Sequence, residues 1–272
     1  MFHAEKVFPG VTHISDAMGV AMTLIEGSER AILFDTGYGT DDVNAFIQTL
    51  TGKPVSVLLS HGHHDHILGV RWFGKSSMCS DDLDEFRQRT GLQQRMKVAG
   101  QAEQKGILIP EDFLSVNIAE PEPLIFNGVL GRFEQRTEDL GHMQAQVIHV
   151  PGHTPGSIVV YLRGMHLLLT GDDWNPCTWM WFPSSLPVRR WRDNMKELIA
   201  GLEKETGEEI RHVLCSHQQK PRQAKEVKAF LEYVDDERLD SAPAVDMGEP
   251  IQTHEIHKEP EGWTLVFDKD KA

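Results

Sequence analysis

Apolar residues fall in short runs along this chain, and the punctuation between the runs predicts its elements. Val11–Ser15, Ala21–Glu26 and Arg30–Asp35 read as successive antiparallel strands, with Gly27-Ser28 as the turn between the last two. Asp41–Leu50 opens with two acids, which suit the positive end of a helix, and is expected to be helical. Val55-Ser-Val-Leu-Leu59 is a further strand-like run, and Ser80 or Asp81 is placed to cap a helix running to about Val98. Gly100 to Gly131 has scattered Pro and Gly and no clean period, so it reads as an insertion or cover. Strands are expected near Gln146–Val150, Ser157–Leu162 and His166–Thr170, and helices over Arg189–Lys204 and Pro221–Val234. Ser241 to Pro250 has the character of a linker, and 251–268 that of a hairpin turning at Pro260-Glu-Gly262. Antiparallel strands with separate helices favour a sandwich over a Rossmann sheet, and no Gly-x-Gly-x-x-Gly follows a strand.

Bulk composition narrows the class. At 272 residues the chain can bury a sizeable core in one large α/β domain. Its formal net charge of −14 repels polyanions and counts against a nucleic-acid partner. No apolar stretch approaches the ~20 residues of a membrane span, and Met-Phe-His-Ala-Glu-Lys does not open like a secretory signal. Three scattered cysteines, Cys79, Cys177 and Cys215, argue against a disulfide framework, so a cytoplasmic compartment is expected.

The chemistry concentrates in Ser60-His-Gly-His-His-Asp-His66. His61, His63, Asp65 and His66 make the pattern His-x-His-x-Asp-His at a strand's end, an imidazole and carboxylate set suited to Zn²⁺. Three more candidates also follow apolar runs: His153 in Val150-Pro-Gly-His-Thr-Pro-Gly-Ser157, Asp172 after Leu167-Leu-Leu-Thr-Gly, and His217 after Val213-Leu-Cys-Ser. His64 interrupts the cluster without matching a ligand position. His142, His149, His166, His212, His254 and His257 read as packing or surface residues.

With these motifs the chain resembles the metallo-β-lactamase superfamily over roughly residues 5–235. The resemblance implies an αββα sandwich (an α/β, four-layer fold) over residues 1–240, with 241–272 as a linker and C-terminal hairpin extension packed on the same domain. It implies a binuclear centre of two divalent ions, zinc foremost with iron or manganese as alternatives. His61, His63 and His153 would hold one, Asp65, His66 and His217 the other, and Asp172 would bridge. Ile32-Leu-Phe-Asp-Thr-Gly37 resembles the family's early Asp-Thr-Gly turn, which makes Asp35 either a carboxylate orienting a ligand imidazole or a plain turn residue.

The implied activity is a hydrolase of a small-molecule ester, lactone or thioester. Water shared between two cations loses its proton near neutral pH and attacks the carbonyl, with Asp65 as the catalytic proton handler. Phosphodiester cleavage is the runner-up, and a mononuclear-iron oxygenase of the persulfide-dioxygenase type the alternative outside hydrolysis. The run Asp173-Trp-Asn-Pro-Cys-Thr-Trp-Met-Trp-Phe-Pro183 suggests an apolar substrate wall from Trp174, Trp179 and Trp181; core packing or a homodimer interface is the competing use. Tyr38 is a candidate oxyanion donor. Arg189, Arg190 and Arg192 either bind a substrate anion or form the solvated face of a helix.

Overall fold

In the computed structural model, which describes residues 1–248 and 250–272, the chain divides into two compact units. The first comprises Met1–Ile125, Thr137–Ala145 and Ser216–Lys220, and the second Phe126–Arg136, Gln146–Cys215 and Pro221–Ala272.

Strands β1 (His3–Phe8), β2 (Val11–Ser15), β3 (Ala21–Glu26) and β4 (Ala31–Phe34) form an antiparallel meander, of which β2, β3 and β4 are the three strands that the apolar runs predict and β1 is a fourth that they do not. Helix α1 (Val43–Leu50) starts at Asp42, whose carboxylate accepts from Ala45 N–H at 2.9 Å, so the second of the two acids is the cap, while Asp41 pairs with the N-terminal amine. It leads into β5 (Val55–Leu58), which runs parallel to β4 with Phe34 opposite Leu58. That register brings residue 35 and residues 59–60 out at the same end of the sheet. Helix α2 (His64–Ile67) follows, then β6 (Ser77–Met78).

The helix expected from Ser80 to Val98 is instead a 3₁₀ turn and two helices, α3 (Leu83–Arg89) and α4 (Leu92–Gln104). The break has a local cause: the Thr90 hydroxyl donates back to the Phe86 carbonyl, and Gly91 takes an extended conformation that restarts the helix. Strand β7 (Glu122–Pro123) closes the first seven-stranded sheet.

The second sheet runs β15-β14-β12-β11-β10-β9-β8. Its strands are β8 (Gly128–Leu130), β9 (Phe133–Asp139), β10 (Gln144–His149), β11 (Ile158–Leu162), β12 (Leu167–Gly171), β14 (His212–Cys215) and β15 (Arg222–Gln223). β11 and β12 are wholly buried. A third, four-stranded sheet joins β13 (Cys177–Met180) to the C-terminal strands β16 (Ala244–Val245), β17 (Thr253–Lys258) and β18 (Trp263–Asp268) in the order β13-β18-β17-β16.

The long amphipathic helix α5 (Val188–Thr206) and α6 (Ala224–Tyr233) pack onto the core of the second unit, with α7 (Asp236–Ser241) after them. The expected hairpin is present as β17 and β18, and the C-terminal segment groups with the second unit. The linker expected over 241–250 contains β16; Glu249, within that stretch, lies outside the described residues. Among the described residues no helix is long and apolar enough to cross a membrane.

One close approach fixes the turn after β4. A Cβ added to Gly69 would lie 2.1 Å from the Thr36 carbonyl oxygen, a main-chain atom that cannot rotate away. We expect Gly69→Ala to cost about 3 kcal/mol and to lower the melting temperature by roughly 8 °C. A calorimetric scan checks this, and an unchanged midpoint refutes it.

Candidate metal centre

His61, His63, Asp65, His66 and His217 lie in the first unit, and His153 and Asp172 in the second. In the first unit the ligand atoms of Asp65, His66 and His217 lie within 4.8 Å of one another, as do those of His61 and His63. The rings of His61 and His66 are 4.2 Å apart, and those of His61 and His63 4.7 Å. In the second unit His153 Nε2 stands 3.8 Å from Asp172 Oδ2.

Asp35 organises the first group. The parallel register of β4 and β5 delivers it beside Ser60, and it holds a positive φ of 68°, a conformation aspartate tolerates better than most residues. Its wholly buried carboxylate accepts from Ser60 N–H at 2.7 Å, from the Ser60 hydroxyl at 2.8 Å and from His66 Nδ1–H at 3.0 Å. Because the Ser60 proton goes to Asp35, the Ser60 oxygen accepts from His61 Nδ1–H at 2.9 Å. In the second unit His153 Nδ1–H donates to the Trp179 carbonyl at 2.7 Å. Each of these three imidazoles therefore carries its proton on Nδ1 and presents the Nε2 lone pair, the form a metal needs. His63 is turned the other way: its Nε2 faces Glu85 at 3.5 Å, which leaves Nδ1 as its donor atom.

Spacing agrees with coordination. Two donors each about 2.1 Å from a tetrahedral ion stand about 3.4 Å apart. Asp65 Oδ2 is 3.4 Å from His66 Nε2 and 3.6 Å from His217 Nε2, long for direct hydrogen bonds and right for donors sharing an ion. Burial opposes ionisation of Asp65, but the imidazoles of His66, His64 and His217 outweigh it and hold the carboxyl well below the usual range. Burial lowers His64 to about 4, so its ring is neutral at physiological pH.

The surroundings include residues that sequence reasoning missed. Asp82, fully buried, accepts from Gly62 N–H at 2.8 Å, between two candidate ligands. Glu85 is pushed up by burial, yet its bonds to His63 and Arg89 bring it to about 2. Asp173 accepts from His153 N–H at 2.8 Å. Asp16 accepts from Tyr38 N–H at 2.9 Å and so shapes the turn after Asp35. His13, buried, donates to the Gln218 carbonyl at 2.7 Å beside His217. The only sequence signal for any of them is the acid-rich run Ser80-Asp-Asp-Leu-Asp-Glu85.

The expected substrate residues divide. Tyr38 is half-buried, with its ring edge-on to His64 at 5.5 Å. Trp179 is 39% exposed, and Trp181 stacks on Phe182 at 4.3 Å, with Phe182 edge-on to His153 at 5.4 Å. Trp174 does not belong to such a wall. It is fully buried in the apolar core and edge-on to Phe230, because the chain turns inward before β13. Arg189 and Arg192 pair with Asp236 of α7, and Arg189 also with Asp240, the use expected of a solvated helix face.

A family model described as the metallo-beta-lactamase superfamily matches residues 16–173. Similar proteins include the probable metallo-hydrolase YybB of Bacillus subtilis, 32% identical over 54% of this chain and 59% of the relative. The human acyl-coenzyme A thioesterase MBLAC2 is 21% identical over 56% of this chain and 60% of the relative. The chain thus spans about three fifths of the curated relatives it matches. Among solved structures, the metallo-beta-lactamase from Pontibacter korlensis aligns with a TM-score of 0.58 and 16% identity, over 85% of this chain and 98% of that one. The inverting sec-alkylsulfatase Pisa1 from Pseudomonas sp. aligns with a TM-score of 0.61 and 17% identity, over 85% of this chain and 40% of that one. At these identities the likeness speaks to fold, and the fold is the metallo-β-lactamase fold expected. The chain belongs to the metallo-beta-lactamase superfamily.

Proposed function

We propose that this chain is a metallo-hydrolase of small-molecule esters, lactones or thioesters. Two divalent ions, most simply zinc, would be held by His61, His63 and His153 and by Asp65, His66 and His217, with Asp172 shared. The observation that carries the reading is the set of imidazoles whose Nδ1–H groups are anchored, on Ser60, Asp35 and the Trp179 carbonyl, which fixes the tautomer that ligates through Nε2. When bound, such ions supply the Lewis acidity that activates water and polarises the scissile carbonyl.

The protein's own groups do the rest. Asp65, kept ionised by its imidazole neighbours, takes a proton from the attacking water and returns it to the departing alkoxide or thiolate. Trp179 and Phe182 offer aromatic surface beside His153 to an apolar part of the substrate. The similarity to a thioesterase supports placing thioesters first among the three substrate classes.

Elemental analysis of protein purified without added metal, with an ester, lactone, thioester and phosphodiester panel, tests the proposal. We expect about two ions per chain, turnover on one carbonyl class, and loss of that turnover after chelation with recovery on adding Zn²⁺. A single iron with oxygen uptake and no hydrolysis overturns it.

A further inference from the structure

Three contacts to His153 come from one short stretch of chain. Its Nδ1–H donates to the Trp179 carbonyl at 2.7 Å, its own carbonyl accepts from the Ser185 hydroxyl at 2.8 Å, and the Phe182 ring stands edge-on to it at 5.4 Å. That stretch is held in turn by the last residues of the second unit. Strand β13, which carries Trp179, pairs in parallel with β18, from Cys177 opposite Thr264 to Met180 opposite Phe267. Beyond β13 the chain leaves the sheet, and Lys271 takes over. Its Nζ donates to the carbonyls of Phe182, Pro183 and Ser185 at 2.9, 2.6 and 3.1 Å, one for each ammonium proton.

We propose that Lys271 is a positioning residue for His153. By gathering three carbonyls of the 182–185 loop, it sets the Ser185 hydroxyl and the Phe182 ring against His153 and keeps the Trp179 carbonyl in line with Nδ1. The C-terminal hairpin is then part of the apparatus that orients a candidate ligand. The inference rests on the reading of His153 as a metal ligand, and a neighbouring lysine supplies the control. Lys269 lies in the same terminal turn and does the same chemistry, but on the carbonyls of Leu239 and Asp240 at the end of α7, at 2.7 and 2.8 Å.

The test is a Co²⁺ titration of chelator-stripped protein, read from the visible absorption of the bound ion, with far-UV circular dichroism to confirm folding. Lys271→Met is expected to weaken Co²⁺ binding about tenfold, the lower range for groups that orient a metal-ligating histidine. Lys271→Arg, which keeps charge and donors, recovers most of the loss. Lys269→Met binds Co²⁺ like wild type. If Lys271→Met does not fold, Ser185→Ala removes a single hydroxyl from the same grip and is expected to weaken binding several-fold. Undiminished affinity in the variants that fold overturns the role of Lys271, as does an equal loss in Lys269→Met, which would mark general loosening of the hairpin. A wild-type chain that binds no Co²⁺ overturns the metal reading itself, and the proposal with it.

Discussion

Asp35→Ala is expected to lose about 4 kcal/mol of stability and to bind Zn²⁺ about 10–100-fold more weakly. The stability loss follows from what would be stranded. Ser60 N–H, the Ser60 hydroxyl and His66 Nδ1–H would all keep their buried positions without their shared acceptor. Each such donor costs about 1–3 kcal/mol. Alanine also fits poorly at the positive φ that aspartate occupies here. The loss in metal affinity has a separate cause: His66, and His61 through Ser60, lose the contact that keeps the proton on Nδ1.

Asp35→Asn separates the two effects. Asparagine keeps the volume and tolerates the backbone, but its amide replaces an acceptor with a donor. We expect it to recover part of the stability and little of the affinity. Chemical denaturation of the metal-free protein and Zn²⁺ titration of the same samples check both. An alanine variant that melts with wild type and retains its metal rules out Asp35 as the hub.

This hub marks how far the sequence reading reached. Seven candidate ligands were legible because their spacing and position after apolar runs survive in one dimension. Asp35 was legible only as an ambiguity. What separates an orienting carboxylate from a turn residue is the parallel pairing of β4 with β5, which places it beside Ser60. Glu85 and Asp82 were hidden for a related reason. On paper they are the acids of a helix start, and only packing turns them toward His63 and Gly62.

Strands bounded by glycine turns, such as Ala21–Glu26, matched their predicted ends. The long helix expected after Ser80 did not survive, because a threonine hydroxyl and one glycine decide the break locally. The pairing of β13 with β18 was out of reach, since nothing in Cys177–Met180 names a partner more than eighty residues away.

The same limit explains the tryptophans, and the two ends of the aromatic run are expected to fail in opposite ways. Trp174→Ala removes a fully buried ring that packs against Phe230 within the main core of the second unit. Such truncations cost about 3–5 kcal/mol, so the melting temperature should fall by roughly 10 °C, whatever substrate is assayed. Trp179 faces away from that core: in β13 it shares the exposed side with Cys177, while Thr178 and Met180 point inward. Its carbonyl, the group that holds His153, is untouched by a side-chain change. Trp179→Ala should therefore cost under about 1 kcal/mol. It should raise KM about tenfold for aryl or long-chain acyl substrates, from lost ring contact of about 1.4 kcal/mol, and leave kcat and the KM for acetyl substrates near wild type. Thermal melts beside paired aryl and acetyl kinetics make the comparison. Equal losses on both substrates, or a Trp179→Ala melt as low as that of Trp174→Ala, would place Trp179 in the core after all and remove the aromatic wall from the reading of the site.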